Sequence, residues 1–311
     1  MKKTKKLKRN FEVLAFGGLM CLARSLPRES GMKLFSAIGA TAGRMFGEDR
    51  KRALENLALA FPETPQPIRE ALARAVFKTM GMNFFEFLNL EGSSRKRLGE
   101  LVSRVEGQER MDRAIAAGRG VIVITGHIGC WELLAGYYAA RGYPVTVVGR
   151  ELWERRLNER LLKVRQSLGY RTIDRDSGGK EMVRALRDKH LLAVLIDQHT
   201  RVSGVYVPFF NRPAFTPVGV AKLALATGAP VLPMAIYMRP DGRHEIRILS
   251  QIDASDAGLS GLSKEERVIE LTRRCSAAVE ELVRYDPKQW VWFHDRWRPG
   301  EGGALGDEMV H

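Results

Sequence analysis

The stretch Gly118-Arg-Gly-Val-Ile-Val-Ile-Thr-Gly-His-Ile-Gly-Cys-Trp-Glu-Leu-Leu134 joins an apolar run to a histidine and, five positions later, a carboxylate. Residues 121–125 are β-branched and uncharged, which predicts a buried β-strand. Two glycines bracket His127 and predict a tight turn, and the residues from Cys130 onward suit a helix. The stretch therefore predicts a strand, a turn and a helix in that order, which is the local unit of an α/β fold.

His127 and Glu132 are the candidate catalytic residues of this stretch. On one continuous helix, side chains five positions apart would point about 140° away from each other. The two can meet only if His127 lies in the turn and Glu132 in the first turn of the helix. We therefore expect Glu132 to orient the imidazole so that it can take a proton from a hydroxyl, with free N–H groups at the helix start stabilising an oxyanion. A structural histidine beside a strand is the alternative.

The composition favours acidic partners. The chain has 311 residues, enough for one large domain or two modest ones, and 45% of them are hydrophobic, which allows an ample core. Its 50 Lys and Arg residues against 36 Asp and Glu residues give a formal net charge of +14, which suits nucleic acid, anionic lipid or an acidic carrier protein. Because no nucleic-acid signature, nucleotide loop or metal-ligand spacing is evident, we expect no nucleic acid partner, no cofactor and no metal.

The first 26 residues are expected to form a membrane anchor. Six basic residues lie among the first nine, and the segment 11–23 is apolar apart from Glu12. No convincing cleavage site follows, and about a dozen apolar positions are few for an unaided span. We therefore expect an uncleaved segment that lies in, or dips through, the cytoplasmic face of an anionic membrane. A surface helix with a solvated basic tail is the alternative.

The rest of the chain divides into a helical region packed on the core (27–102), an α/β core (103–298) and a flexible tail (299–311). Apolar residues at three and four spacing predict helices at 50–61 and 67–90. Strands are predicted at 121–125, 145–148, 191–196, 231–236 and 245–249, and helices at 128–141, 152–168, 178–189, 216–228 and 265–285. This alternation predicts an α/β sandwich whose mixed sheet is flanked by helices.

Four further polar residues are candidates for substrate binding. Arg150 closes a strand, and Asn158 and Arg165, seven positions apart, share one border of the apolar stripe of a predicted helix. We expect Arg165 to bind a phosphate or an oxyanion, although an arginine at such a border is often a snorkelled surface group. Asp197 follows a strand, and strand ends in α/β folds commonly line sites. A structural cap is the alternative for Asp197.

Other features leave alternatives open. The segment 207–213 predicts either the wall of an apolar groove or a packed turn. The methionines and phenylalanines at 80–87 are typical of a core but also suit an acyl-chain tunnel. Three histidines in charged or terminal surroundings are expected to face solvent: His190, His244 and His311.

Taken together, these segments resemble the late lipid A acyltransferases, the lauroyl and myristoyl transferases of lipopolysaccharide assembly. The resemblance runs from the basic, apolar N-terminus to the Trp-rich tail, nearly the whole chain. The matching residues are Gly126-His-Ile-Gly-Cys-Trp-Glu132, Arg150 with Asn158 and Arg165, Asp197-Gln198, Pro208-Phe-Phe-Asn-Arg-Pro-Ala214, Thr227-Gly-Ala-Pro-Val-Leu-Pro233 and Gln289-Trp-Val-Trp-Phe-His-Asp-Arg-Trp-Arg298. The chain departs from the family at Cys130, where the family often has Asn, and at Asn211, where it often has Gly. These departures leave room for a different acceptor.

The resemblance implies a glycerolipid-acyltransferase-like sandwich and an O-acyltransferase at the cytoplasmic face of the cell inner membrane. It implies that His127 is the general base and Glu132 its orienting partner, with Arg165 and Asp197 as further site residues. The hydroxyl of a 3-hydroxyacyl chain on a lipid A precursor, or of a related glycolipid, would attack the thioester of an acyl–acyl carrier protein.

Two other functions compete with this one. A glycerophospholipid acyltransferase shares the His-x4-acidic motif and the segment like Ala-Pro-Val-Leu-Pro, but it usually has a Pro-Glu-Gly-Thr-Arg type motif that this chain lacks. A non-catalytic basic protein of the membrane surface, in which His127 only packs, is the rival from another class.

Overall fold

The computed structural model describes residues 2–297, and for residues 2–9 and 11 only the backbone. Its helices are α1 (Lys2–Ser25), α2 (Arg28–Met45), α3 (Gly47–Ala60), α4 (Gln66–Leu88), α5 (Arg95–Leu101), α6 (Gln108–Ala116), α7 (Trp131–Ala140), α8 (Arg155–Ser167), α9 (Gly179–Arg187), α10 (Gly219–Thr227) and α11 (Lys264–Tyr285). Its strands are β1 (Val102–Glu106), β2 (Val121–Thr125), β3 (Val145–Gly149), β4 (Arg171–Asp174), β5 (Leu191–Leu195), β6 (Gly204–Phe209), β7 (Arg212–Pro217), β8 (Val231–Met238) and β9 (His244–Ile248).

Seven strands form one sheet in the order β1-β9-β8-β2-β5-β3-β4, and β6 and β7 form a separate hairpin. Strands β8, β2, β5, β3 and β4 run parallel to one another, whereas β9 pairs antiparallel with β8 and parallel with β1. The predicted α/β fold with a mixed sheet flanked by helices is therefore confirmed, and the sheet is mostly parallel.

Helices cover both faces of the sheet, and the central strand β2 shows why its sequence is apolar throughout. Ile122 and Ile124 pack into a core shared with α3, α4, α9, α10 and α11. Val121 and Val123 pack into a second core shared with α5, α6, α7 and α8. Because both faces are buried, a run of apolar residues replaces the alternation typical of a half-exposed strand.

The strands at both edges of the sheet, β1 and β4, are not predicted by the apolar patterns. β1 carries Arg104 and Glu106, and β4 begins with Arg171 and ends with Asp174. An edge strand is only partly covered, so it needs no apolar run, and charges there discourage pairing with other chains. Sequence periodicity therefore detects the interior of this sheet better than its edges.

The segment 207–213 forms the end of β6, the hairpin turn and the start of β7. Phe210 and Asn211 have φ values of +53° and +57°, as in a two-residue turn of type I′. Pro208, Pro213 and Pro217 are tolerated because this hairpin lies outside the seven-stranded sheet. Of the two predictions for this segment, the packed turn agrees better with the structure than the groove wall does.

The N-terminal third is helical, as predicted, and α1 packs against α4. Phe16 of α1 meets Phe84 with ring centroids 6.1 Å apart, and Arg24 forms an ion pair with Glu91. No helix among the described residues combines the length and the apolar composition that a membrane crossing requires. The predicted flexible tail, 299–311, lies outside the described residues, as do the side chains of the basic residues 2–9.

His244 is fully buried, so the prediction that it faces solvent is wrong. Its Nε2 lies 3.2 Å from Oε2 of Glu86, which also pairs with Arg28. His244 begins β9, which lies inside the sheet between β1 and β8, and this position outweighs its charged sequence neighbours. His190 is half-buried and lies 2.8 Å from the hydroxyl of Thr146. His311 lies outside the described residues.

We expect Gly129→Ala to displace the turn that carries His127, because an added Cβ would lie 1.9 Å from the carbonyl oxygen of Ile236. Gly118→Ala is the matched control. Gly118 has a similar φ, +69° against +60°, but an added Cβ there meets nothing within 4 Å. The backbone strain common to both is about 1–2 kcal/mol. Thermal unfolding followed by circular dichroism should show a much larger loss for Gly129→Ala, and equal losses would contradict this.

Candidate functional site

The site lies where two neighbouring parallel strands end. β2 and β5 pair in register, with Thr125 opposite Leu195. His127 follows Thr125 by two residues, and Asp197 follows Leu195 by two residues. The sheet therefore brings both to the carboxyl-terminal ends of its parallel strands. Asp197 Oδ1 lies 2.8 Å from Nδ1 of His127, and Asp197 Oδ2 accepts the backbone N–H of His127 at 2.7 Å. The two residues therefore share two hydrogen bonds.

Asp197 is a buried carboxylate that stays ionised. Only 1% of its surface is exposed. Burial by itself would raise its pKa, but the charge and hydrogen bond of His127, with a smaller contribution from His294, hold that pKa well below the usual range. An ionised Asp197 only accepts hydrogen bonds. The Nδ1 of His127 must therefore carry the proton of their shared bond.

The other ring nitrogen of His127 is available for chemistry. Its Nε2 makes no hydrogen bond to any residue that the structure describes, and 23% of the side chain is exposed. The ring packs edge-on against Trp131, with centroids 5.0 Å apart. A neutral imidazole with its proton on Nδ1 has a lone pair on Nε2, which can accept a proton from a hydroxyl.

Glu132 does not orient His127, so that prediction is wrong. Its carboxylate forms a bidentate ion pair with Arg165, at 2.7 and 3.0 Å. It also accepts a hydrogen bond from the hydroxyl of Tyr170 at 2.5 Å. The physical reason is the turn at Gly129, which has a positive φ. This turn lets His127 contact Asp197, which follows β5. Glu132 instead contacts Arg165 in α8 and Tyr170, the residue before β4.

Arg165 is charged and almost enclosed, with 13% of its side chain exposed. Burial would lower its pKa, but the hydrogen bonds and charge of Glu132 outweigh this and raise it. Its Nη1 also lies 3.2 Å from the hydroxyl of Thr172. The alternative for Arg165, a snorkelled surface group, is therefore wrong, because its guanidinium is buried and fixed by Glu132. The binding of a phosphate or an oxyanion stays a prediction.

A small apolar cavity adjoins this ion pair. Its volume is about 50 Å³. Arg165 and Glu132 are its charged lining residues, and the apolar lining includes Val123, Trp131, Leu134, Tyr138, Val147 and Leu195. Trp131 contacts both this cavity and the ring of His127. Trp131 therefore links the cavity to His127.

Arg150 and Asn158 lie apart from this cluster. The side chain of Arg150 is 73% exposed, and its nearest carboxylate is Asp176 at 3.9 Å. Arg150 follows the end of β3, at the same edge of the sheet as His127. Asn158 accepts the backbone N–H of Leu152 at 3.1 Å and so shapes the loop between β3 and α8. Their assignment to substrate binding stays a prediction.

The C-terminal aromatic segment contributes residues that no pattern assigns to the site. Trp290 donates its indole N–H to Asp197 Oδ2 at 2.7 Å, and Nε2 of His294 donates to the backbone carbonyl of Asp197 at 3.0 Å. Burial lowers the pKa of His294 to about 4, so its ring is neutral at pH 7. The backbone of Val291 also donates to the carbonyl of His127, at 3.2 Å. In the sequence this segment is marked by its aromatic composition and by its place in the family resemblance, but neither feature indicates contact with Asp197.

Comparison with known proteins identifies the family. The family described as bacterial lipid A biosynthesis acyltransferase matches residues 1–299. The chain is 27% identical to a phosphatidylinositol mannoside acyltransferase of Mycolicibacterium smegmatis, over 89% of this chain and 88% of that protein. It is 27% identical to lipid A biosynthesis acyltransferase 1 of Shigella flexneri and 26% identical to the lipid A biosynthesis myristoyltransferase of Escherichia coli, each over 84% of this chain and 78% of the relative.

The family match extends from the first helix through the aromatic segment, so it includes His127, Asp197, Arg165 and Trp290. A family of enzymes excludes the non-catalytic membrane-surface protein that the sequence left open. The chain belongs to the bacterial lipid A biosynthesis acyltransferase family and is an O-acyltransferase.

Proposed function

We propose that this enzyme moves a fatty acyl chain from an acyl–acyl carrier protein to a hydroxyl of a lipid A precursor or related glycolipid, with His127 as the general base. The observation that carries the proposal is the pair of His127 and Asp197. Asp197 fixes the proton of the imidazole on Nδ1, and Nε2 is left unpartnered within the described chain and partly exposed. This is the arrangement that a base needs to activate a hydroxyl.

The transfer proceeds in two proton movements. Nε2 of His127 takes the proton of the acceptor hydroxyl as the oxygen attacks the thioester carbonyl carbon, and a tetrahedral oxyanion forms. The oxyanion then collapses, the carbon–sulfur bond breaks, and the thiolate takes the proton from the imidazolium. The products are an ester and a free thiol. The ionised Asp197 stabilises the imidazolium between the two steps.

We assign Arg165 to the negative charge of the tetrahedral intermediate. Its guanidinium is fixed by Glu132 and lies at the cavity beside Trp131. A preorganised cation in a site with little water stabilises a developing oxyanion more strongly than solvent does. Glu132 thus acts through Arg165. The cavity, which can hold only part of an acyl chain, receives the segment next to the reacting carbonyl.

The proposed donor is supported by the net charge of the chain, and the proposed acceptor by the names of its relatives. A formal net charge of +14 suits an acidic carrier protein and lipid phosphates. The relatives support both a lipid A precursor and a mannosylated phosphatidylinositol as acceptor class. Both classes offer hydroxyls on a phosphorylated glycolipid. We assign such a phosphate to Arg150, which is exposed and follows β3 at the same end of the sheet as His127.

We place the enzyme at the cytoplasmic face of the cell inner membrane, held by α1. The outer side of α1 exposes Leu14, which is 74% accessible, and Leu22. Six basic residues lie in its first nine positions. An apolar face beside basic residues suits the interface of an anionic leaflet.

His127→Ala should lower kcat by roughly 10²–10⁴-fold, because the hydroxyl loses its base. His190→Ala is the matched control. His190 also lies next to a strand, but before the start of β5, at the opposite edge of the sheet from His127. The measurement is steady-state acyl transfer with purified protein. Transfer by His127→Ala at the wild-type rate would refute the base assignment.

Arg165→Lys should lower kcat by roughly 10²-fold, because an ammonium loses the two-pronged geometry with Glu132. Arg175→Lys serves as the control, since Arg175 pairs with Asp176 in the turn after β4. Single-turnover transfer with a pre-loaded acyl donor separates this effect on chemistry from an effect on binding. An unchanged single-turnover rate in Arg165→Lys would remove Arg165 from the mechanism.

The substrate assignment is tested by offering two donors against three acceptors. The donors are acyl–acyl carrier protein and acyl-coenzyme A, and the acceptors are a lipid A precursor, a phosphatidylinositol mannoside and a lysophospholipid. Lipid mass spectrometry reads the products. We expect the carrier protein donor and a glycolipid acceptor to be preferred. Transfer to the lysophospholipid alone would contradict the proposed acceptor class.

A further inference from the structure

Trp290 binds Asp197 directly and lies beside the turn that carries His127. Its indole N–H donates to Asp197 Oδ2 at 2.7 Å, and its backbone pairs with Ile128, the residue after His127. The residues on either side extend this pairing, since Gly129 donates to the carbonyl of Gln289 at 3.0 Å. Trp290 is fully buried. The aromatic segment therefore lies along the turn of His127 and places one donor on Asp197.

The two oxygens of Asp197 have different partners. Oδ2 accepts the indole N–H of Trp290 and the backbone N–H of His127. Among the residues that the structure describes, Oδ1 accepts only the ring Nδ1–H of His127. Two donors on Oδ2 stop the carboxylate from rotating, so Oδ1 remains directed at the imidazole. They also draw negative charge toward Oδ2, which makes the carboxylate a weaker partner for an imidazolium.

We propose that Trp290 is a positioning residue for acyl transfer: its indole N–H fixes the carboxylate of Asp197 so that His127 presents its Nε2 to the acceptor hydroxyl. This inference rests on the proposed function, in which His127 is the base. It assigns a role in the chemistry to a residue that is 93 positions from Asp197 in sequence.

Trp292 offers a matched control within the same aromatic cluster. It is as fully buried as Trp290, and the two indole rings lie 4.6 Å apart. Its N–H donates at 2.7 Å to the backbone carbonyl of Pro287, not to Asp197. Replacement of either tryptophan by phenylalanine thus removes one indole ring from the same cluster and one hydrogen bond of 2.7 Å. Only the loss at Trp290 touches the catalytic pair.

The experiment compares Trp290→Phe and Trp292→Phe by thermal unfolding and by the pH dependence of kcat. We expect both to lower Tm. Trp290→Phe should lower kcat near pH 7 about tenfold. It should also move the acidic limb of the profile to higher pH, because a more basic Asp197 holds the imidazolium more tightly. Trp292→Phe should leave the position of that limb unchanged.

A second replacement guards against misfolding of Trp290→Phe. Benzothienylalanine at position 290, introduced by codon reassignment, exchanges the N–H for sulfur and keeps the ring shape. It should reproduce the shift of the acidic limb with a smaller loss of Tm. An acidic limb at the wild-type position in this protein would overturn the positioning role. Wild-type transfer by His127→Ala would instead refute the proposed function, whatever the result at Trp290.

Discussion

The carboxylate of Asp197 accepts three hydrogen bonds in a place that water does not reach, and the remaining features of the site are arranged around it. A buried negative charge is costly unless donors and a positive partner surround it. Here the donors come from the turn after β2 and from the C-terminal aromatic segment. The need to satisfy one carboxylate thus holds together two distant parts of the chain and leaves the imidazole of His127 in one orientation.

The fold supplies this arrangement through its sheet. β2 and β5 are neighbours in the parallel part of the sheet, and both of their faces are covered by helices. Their carboxyl ends therefore open at the same edge, where the ligand crevices of parallel α/β sheets lie. The tight turn at Gly129 then directs α7 away from Asp197, so that Glu132, in the first turn of α7, forms an ion pair with Arg165. His127 and Arg165 are thus held by two separate carboxylates, Asp197 and Glu132.

The sequence predicts the five strands at or near the centre of the sheet, because apolar runs report burial on both faces. It also identifies His127 and Asp197 as candidates. It does not show that they meet, because the order of strands in a sheet depends on packing between distant segments. Sequence distance alone favours Glu132 as the partner of His127, and only the positions of β2 and β5 show that Asp197 is the partner. The contacts of Trp290 are equally nonlocal.

We infer that Asp197, and not Glu132, fixes the ring proton of His127 on Nδ1. Nitrogen-15 NMR of histidine-labelled protein at pH 7 measures the position of that proton, with His127→Gln identifying the resonances. We expect the proton on Nδ1, with a downfield Nδ1–H signal that Asp197→Asn abolishes and Glu132→Gln preserves. A proton on Nε2, or a signal lost in Glu132→Gln and kept in Asp197→Asn, would contradict it.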